Sequence, residues 1–285
     1  ETAFGSAQVT IQPREIKLTA ATDTQVYDGT ALTNASVTVT GDGFYGSEGF
    51  LTEPTASGTV TNVGKADNLT TNPGFAAGTN ASDYAVTTEK GELEVTPRTL
   101  TVQADNRSIQ YPADRPDAST LTWTLTDGGL TGETPAYSGH PGYDSSLAAD
   151  PLTPDTYTGA IVAGTLALSD NDAFKASNYT LYVTPGDLTV TNGTFDVKLT
   201  GGSWTYDGEA HAATLDDTLN GDTITYYVSD GAGGWTQVPS MPTVTDVADG
   251  IVTVKVRVDR PGYTSVEKTT TIEITPATLD VDATG

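Results

Sequence analysis

Two tyrosines recur in this 285-residue chain at spacings that do not change. With Pro13, Pro97, Asn192 and Pro276 as starting points, Tyr27, Tyr111 and Tyr206 each lie fourteen residues after a start. Tyr84, Tyr179 and Tyr263 each lie thirteen residues before the next start. The stretch between the two tyrosines changes length, so register is held at both ends of a unit and released in its middle. Self-similarity of this kind marks a tandem array and constrains the architecture before any local reading begins. The units span 13–96, 97–191 and 192–275, each close to the size of a small independent domain. Residues 1–12 read as the tail of a preceding repeat or as added residues, and 276–285 as the start of a following repeat. The expectation is a piece of a longer array.

The segments that meet at the starts alternate apolar and polar residues, as in LEVT and RTLTV around Pro97 or DLTVT and GTFDV around Asn192. A period of two marks a strand with one buried and one wet face. Proline suits such a joint, because it donates nothing to a ladder and fixes φ. Asn192-Gly193 replaces it at the second joint, which predicts a more yielding connection there. Further strands are expected at 36–40, 121–126, 156–162, 223–228 and 251–258, separated by Gly-rich turns. Several short strands per repeat point to an all-β sandwich, with β-grasp-like units carrying one short helix as the alternative.

Charge and composition narrow the function. The formal net charge is −24, and the repeats share it evenly: eleven acids against four bases in 13–96, eleven against four in 97–191, and twelve against five in 192–275. With no basic patch, binding to nucleic acid or to an anionic membrane is electrostatically opposed. The absence of cysteine excludes thiol catalysis and cysteine-ligated metal sites. No apolar run is long enough to span a bilayer, and no signal peptide or anchoring motif is expected.

The residues that can carry chemistry each have a plainer use. His140 and His211 fall at non-equivalent places, so the repeats share no histidine site. Ser138, His140 and Asp144 crowd one Gly/Pro loop, but nearness in sequence is not triad geometry. His211 is expected to brace the turn after Tyr206. Asp170-Asn171-Asp172, and Asp280 with Asp282, resemble fragments of a calcium loop without its remaining ligands. Calcium at a domain joint is the one cofactor the acids suggest; otherwise no cofactor, metal or catalytic residue is expected. Trp123 and Trp204 sit in strand-like alternation and are expected in cores, which leaves Trp235 as the best single contact residue for a glycan or protein. Asn-X-Ser/Thr triplets at Asn34, Asn68, Asn80, Asn106, Asn178 and Asn192 are what a Thr-rich chain generates by chance.

The segment VTPRTLTVQADNRSIQY, the Tyr27-Asp28-Gly29 and Tyr206-Asp207-Gly208 triplets and the closing ASNYTLYVTPGDLTVT together resemble the MBG and YDG repeats of large bacterial cell-surface adhesins and cell-wall proteins. Residues 13–96 resemble the YDG type, 97–191 the MBG type, and 192–275 a related form with a YDGxxH opening, here Tyr206 to His211. The second repeat departs from the pattern with Tyr111-Pro112-Ala113-Asp114. The resemblance implies three tandem Ig-like β-sandwich domains in an elongated array, without catalytic activity, on the outside of a bacterium. It implies a stalk that projects a binding domain, monomeric and contacting its neighbouring repeats. The alternative function is a module for host glycan or protein, using variable loops such as 127–155.

Overall fold

Alternation decides which residues of each strand are buried. In Arg14–Ala20 the side chains of Ile16, Leu18 and Ala20 are buried while Glu15 and Lys17 face water. Gly91–Thr96 does the same with Leu93 and Val95, and Arg98–Ala104 with Leu100, Val102 and Ala104. The computed structural model describes residues 8–279, and within them the chain is all-β, in keeping with the Ig-like array expected from the sequence. The β-grasp alternative needs a helix. Among the described residues, helical structure is confined to four three-residue 3-10 turns, such as Ala81–Asp83 and Ala176–Asn178.

One ladder organises every repeat. In the first, the opening strands Arg14–Ala20 and Asp23–Val26 run parallel to the closing strands Tyr84–Glu89 and Gly91–Thr96. The register does not slip between the two pairs: Arg14 faces Tyr84 and Val26 faces Thr96, 70 residues apart in both cases. The second repeat pairs Arg98 with Tyr179 and Arg107 with Leu188, 81 apart in both cases, and the third pairs Gly193 with Tyr263 and Gly202 with Ile272, again 70 apart. This register is the physical content of the fixed spacings. The second tyrosine faces the residue after its own repeat's start, so the first tyrosine reaches the end of the same ladder. Its backbone N–H is bonded there to the last residue before the next start: Tyr27 to Thr96, Tyr111 to Thr191 and Tyr206 to Thr275, all 2.9 Å. The variable middles supply the antiparallel neighbours, Val37–Gly41 and Gly64–Asn68 in the first repeat and Trp123–Asp127 and Asp155–Val162 in the second.

Contacts sort the chain into two compact units, and the middle repeat gives strands to both. The first comprises Glu1–Asp105, Ala118–Gly142 and Val162–Pro185. It holds one core of Ile16, Leu18 and Tyr84 against Phe44, Phe50 and Phe75. Its other core joins Leu32, Leu93 and Val95 to Leu100 and Phe174 across Pro97. Each such side chain contributes about 1.5–3 kcal/mol relative to exposure, so apolar packing continues through the repeat boundary. Asn68 is fully buried behind these sheets and donates to the carbonyls of Ala21 and Asn34 while accepting from Gly58 N–H, which satisfies a polar group that burial alone would penalise.

The second unit comprises Asn106–Asp117, Tyr143–Ile161 and Gly186–Gly285. Its five-stranded sheet, Gly202–Thr205, Val266–Thr275, Val252–Asp259, Thr223–Ser229 and Trp235–Val238, covers Val254, Ile272 and Ile274 on one side and Val197, Val256 and Val258 in a neighbouring cluster. Arg260 fastens its loops. The guanidinium makes a two-pronged contact to Asp222, at 2.8 and 2.9 Å, and lies 4.2 Å from the Phe195 ring centre.

The Arg260 contact first, and then the Leu219 N–H at 2.8 Å, hold the Asp222 carboxyl at about 2, below its ordinary 3.8. A depressed carboxyl stabilises the folded state fully above its unfolded value and loses that contribution as pH falls through its folded value. The second unit is therefore expected to lose stability between about pH 4 and pH 2, partly through this group. Asp222→Asn should flatten that slope, which urea midpoints measured across the same pH range will show; an unchanged slope refutes the assignment.

Candidate functional site

The recurring side chains converge at the boundaries between repeats. In the first unit, the first tyrosine of repeat one meets the second tyrosine of repeat two: Tyr27 and Tyr179 pack edge to face with ring centres 5.5 Å apart. Phe174 stacks on Tyr179 from the other side at 4.9 Å. Both phenol hydroxyls donate to one carboxylate, Tyr27 to Oε1 and Tyr179 to Oε2 of Glu133, each at 2.7 Å. Asn178 completes the junction from beside Tyr179. It is buried, accepts from Val63 N–H at 3.0 Å, and donates to the Asn62 side chain at 3.0 Å. A carboxylate between two phenols is satisfied only while they stay protonated, and burial first, then Glu133, pushes both hydroxyls above their ordinary pKa of 10.

The second unit repeats the aromatic pair with different support. Tyr111 and Tyr263 pack edge to face at 5.2 Å, and Phe195 adds a third ring 5.7 Å from Tyr263. Backbone bonds replace the glutamate: Gly193 N–H donates to Gly262 O, and Thr264 N–H to Gly193 O, both at 2.9 Å. A Cβ on Gly193 would lie 2.5 Å from the Tyr111 carbonyl and 2.6 Å from the Tyr263 ring. The sequence suggested that this glycine loosens the joint. Locally it is clamped on both sides, and its residue type is explained by close approach.

The triplet around the first tyrosine builds the turn that presents it. Asp28 accepts from the N–H and hydroxyl of Thr30, and Asp207 accepts from Glu209 N–H, while Gly29 and Gly208 take φ of 83° and 82°. His211 braces this turn as expected: Nε2 lies 3.0 Å from Asp207, and its ring stacks on Trp204 at 4.9 Å. The Glu209 N–H first, and then His211, hold the Asp207 carboxyl below its usual range.

The other sequence candidates have local partners. Ser138 belongs to the strand Ala136–Ser138 and pairs with Ala167; His140 Nδ1 contacts the Pro141 carbonyl; Asp144 caps its own turn through Ser146 N–H. Asp170 caps the Ala176 N–H, and Asn171 caps Ala173 N–H while donating to Thr134 O, so this segment forms a turn. Among the described residues no three acidic or histidine side chains converge as a metal site would require, and Asp280 and Asp282 lie outside the described residues. Trp123 packs edge to face on Tyr137 at 5.5 Å. Trp235 lies on the strand Trp235–Val238, and the Lys255 ammonium, which also lies over Tyr227, sits 4.8 Å over its ring. Two of the Asn-X-Ser/Thr triplets, at Asn68 and Asn178, are buried hydrogen-bonding residues. Glu133 escaped sequence reading, because a lone acid in a turn carries no signal among so many.

Removing Glu133 leaves two buried hydroxyls without an acceptor. Glu133→Ala is expected to destabilise the first unit by about 1–3 kcal/mol for each orphaned hydroxyl, read from urea denaturation. Tyr27→Phe should cost less on that background than alone; additive losses would show that the carboxylate does not couple the pair. A raised tyrosine stabilises the folded state below its unfolded value and loses that contribution as pH rises, so the same unit should weaken above about pH 10.

No protein-family model matches the chain, and no curated protein matches it in sequence. Among solved structures, it is similar to the extracellular domain of protocadherin gamma B4, with 10% identity, 92% of this chain and 49% of that one covered, and a TM-score of 0.21. It is similar also to the extracellular cadherin domains 1–5 of protocadherin gamma B2, with 10% identity, 92% and 58% covered, and the same TM-score. The chain thus spans about half the length of the structures it matches.

Proposed function

We propose that the chain is a non-catalytic spacer segment of an extracellular, cell-surface protein, built to hold a binding domain away from its anchor. The observation that carries this reading is the boundary-crossing tyrosine pair. A string of domains on bare linkers lets its members turn independently, whereas here Tyr27–Tyr179 and Tyr111–Tyr263 join successive repeats by packed side chains. Even acidity supports the same reading, since like-charged copies stay apart and soluble. The resemblance to MBG and YDG repeats supplies the bacterial setting. Among the described residues no helix is long and apolar enough to cross a membrane. The alternative, a glycan- or protein-binding module, rests on the variable loops such as 127–155 and on Trp235, and the lysine lying over the Trp235 ring leaves that one surface less open to a sugar.

A compact single globule of this length has a radius of gyration of about 19 Å. Small-angle scattering of the spacer should give a value at least about one and a half times larger. A value near the globular one rules the spacer reading out.

A further inference from the structure

A cleft of about 420 Å³ opens beside Tyr84 in the first unit, lined by Ile11, Pro13, Arg14, Tyr45, Glu48 and Asp83 among others. Its walls match one side of the Tyr27–Glu133–Tyr179 joint position by position. Tyr84 and Tyr179 each face the residue after their own repeat's start, Arg14 and Arg98. Each donates its hydroxyl to a glutamate, Glu48 or Glu133. Arg14 and Arg98 each donate from Nε to a turn carbonyl, Gly43 or Gly128, at 2.8 Å. Asp83 precedes Tyr84 as Asn178 precedes Tyr179. At Glu133 the remaining carboxylate oxygen takes Tyr27; at Glu48 the matching place is the cleft.

The segment leading into the cleft is bare in the same way. Val9 and Ile11 lie four and two residues before a start and are 86% and 91% exposed. At those two positions in the three repeats, Leu93 and Val95, Leu188 and Val190, and Ile272 and Ile274 are no more than 4% exposed. Two apolar side chains that alternate along one segment, at positions that are buried wherever a ladder partner exists, mark a face able to receive that partner.

We propose that the Tyr84–Glu48 cleft is a socket for another repeat of this kind, which inserts the tyrosine fourteen residues after its own start and covers Val9 and Ile11 with its paired strand. The matching plug stands in the second unit. Tyr206 is 46% exposed although its N–H is bonded to Thr275 as Tyr27 is to Thr96. Leu279 is 87% exposed at the position where Ile16 and Leu100 are fully buried. Because the closing strand of one repeat is the lead-in of the next, the joint forms in line, where covalent linkage supplies a high effective concentration. The socket does not rest on the spacer reading: a chain that fails the scattering test can still receive a repeat.

The test is an in-line duplication in which residues 13–275 are followed directly by 13–285, so that Thr275 runs into Pro13 as Thr96 runs into Pro97. Tetranitromethane nitration followed by peptide mapping compares it with the single chain. Tyr206 is expected to react in the single chain, and one of its two copies to become unreactive in the duplicated chain. Exposed Tyr182 serves as the reactive control, and buried Tyr27 as the control for an intact fold. Glu48→Ala in the downstream copy should return the protected Tyr206 to full reactivity. Full reactivity of both copies while Tyr27 stays protected overturns the proposal, and so does protection that Glu48→Ala leaves unchanged.

Discussion

Everything distinctive in this chain depends on one constraint, the unslipped parallel ladder between the two ends of each repeat. Parallel strands cannot be joined by a tight turn, so the chain between them must travel out and return. That requirement gives the middles their task and their freedom: any length works if both ends arrive in register. The repeats accordingly carry offsets of 70, 81 and 70 residues with the same end geometry. A slip of one residue would turn Ile16, Leu18, Leu93 and Val95 from the core to water, so burial itself enforces the register.

The ladder also explains why tyrosine is the repeated residue. Register places the two tyrosines of one repeat at its opposite ends, where each can meet only a neighbour's partner. A phenol serves such a place well, because its ring packs against apolar groups and its hydroxyl reaches a polar group at the rim. Glu133 uses this by binding both hydroxyls at once. Because Glu133 and Tyr179 belong to the same repeat, it is the Tyr27 hydroxyl that finds this acceptor only when both repeats are folded and adjacent.

The strands, the all-β class and the period were legible in the sequence because each rests on short-range alternation or on counting. The constant fourteen and thirteen even identified the joints as the conserved geometry within this chain. What the tyrosines touch was not legible, since Tyr27 and Tyr179 lie 152 positions apart and only the ladder brings them together. The contacts of Gly193 were not legible for a related reason. A glycine beside a boundary reads as freedom when its neighbours are unknown, whereas here a ring and a carbonyl occupy the space its side chain would need. Asn68 and Asn178 read as chance triplets of a Thr-rich chain and are buried, because local sequence does not report which backbone groups elsewhere lack a partner.

Cores that cross the repeat boundary change how stability is distributed. A unit of about 90 residues buries only about 60–65% of the surface its unfolded chain exposes, which leaves each repeat modestly stable alone. Leu100, Phe174 and Tyr179 of the second repeat bury themselves against Leu93 and Val95 of the first, so part of each repeat's folding energy resides in its neighbour. Such arrays behave as a sum of intrinsic terms and nearest-neighbour interface terms. When the interface term is large, a repeat flanked on both sides is more stable than the same repeat at an end, and unfolding proceeds inward from the ends. At the first joint a single carboxylate, Glu133, links two repeats whose middles differ in length and composition.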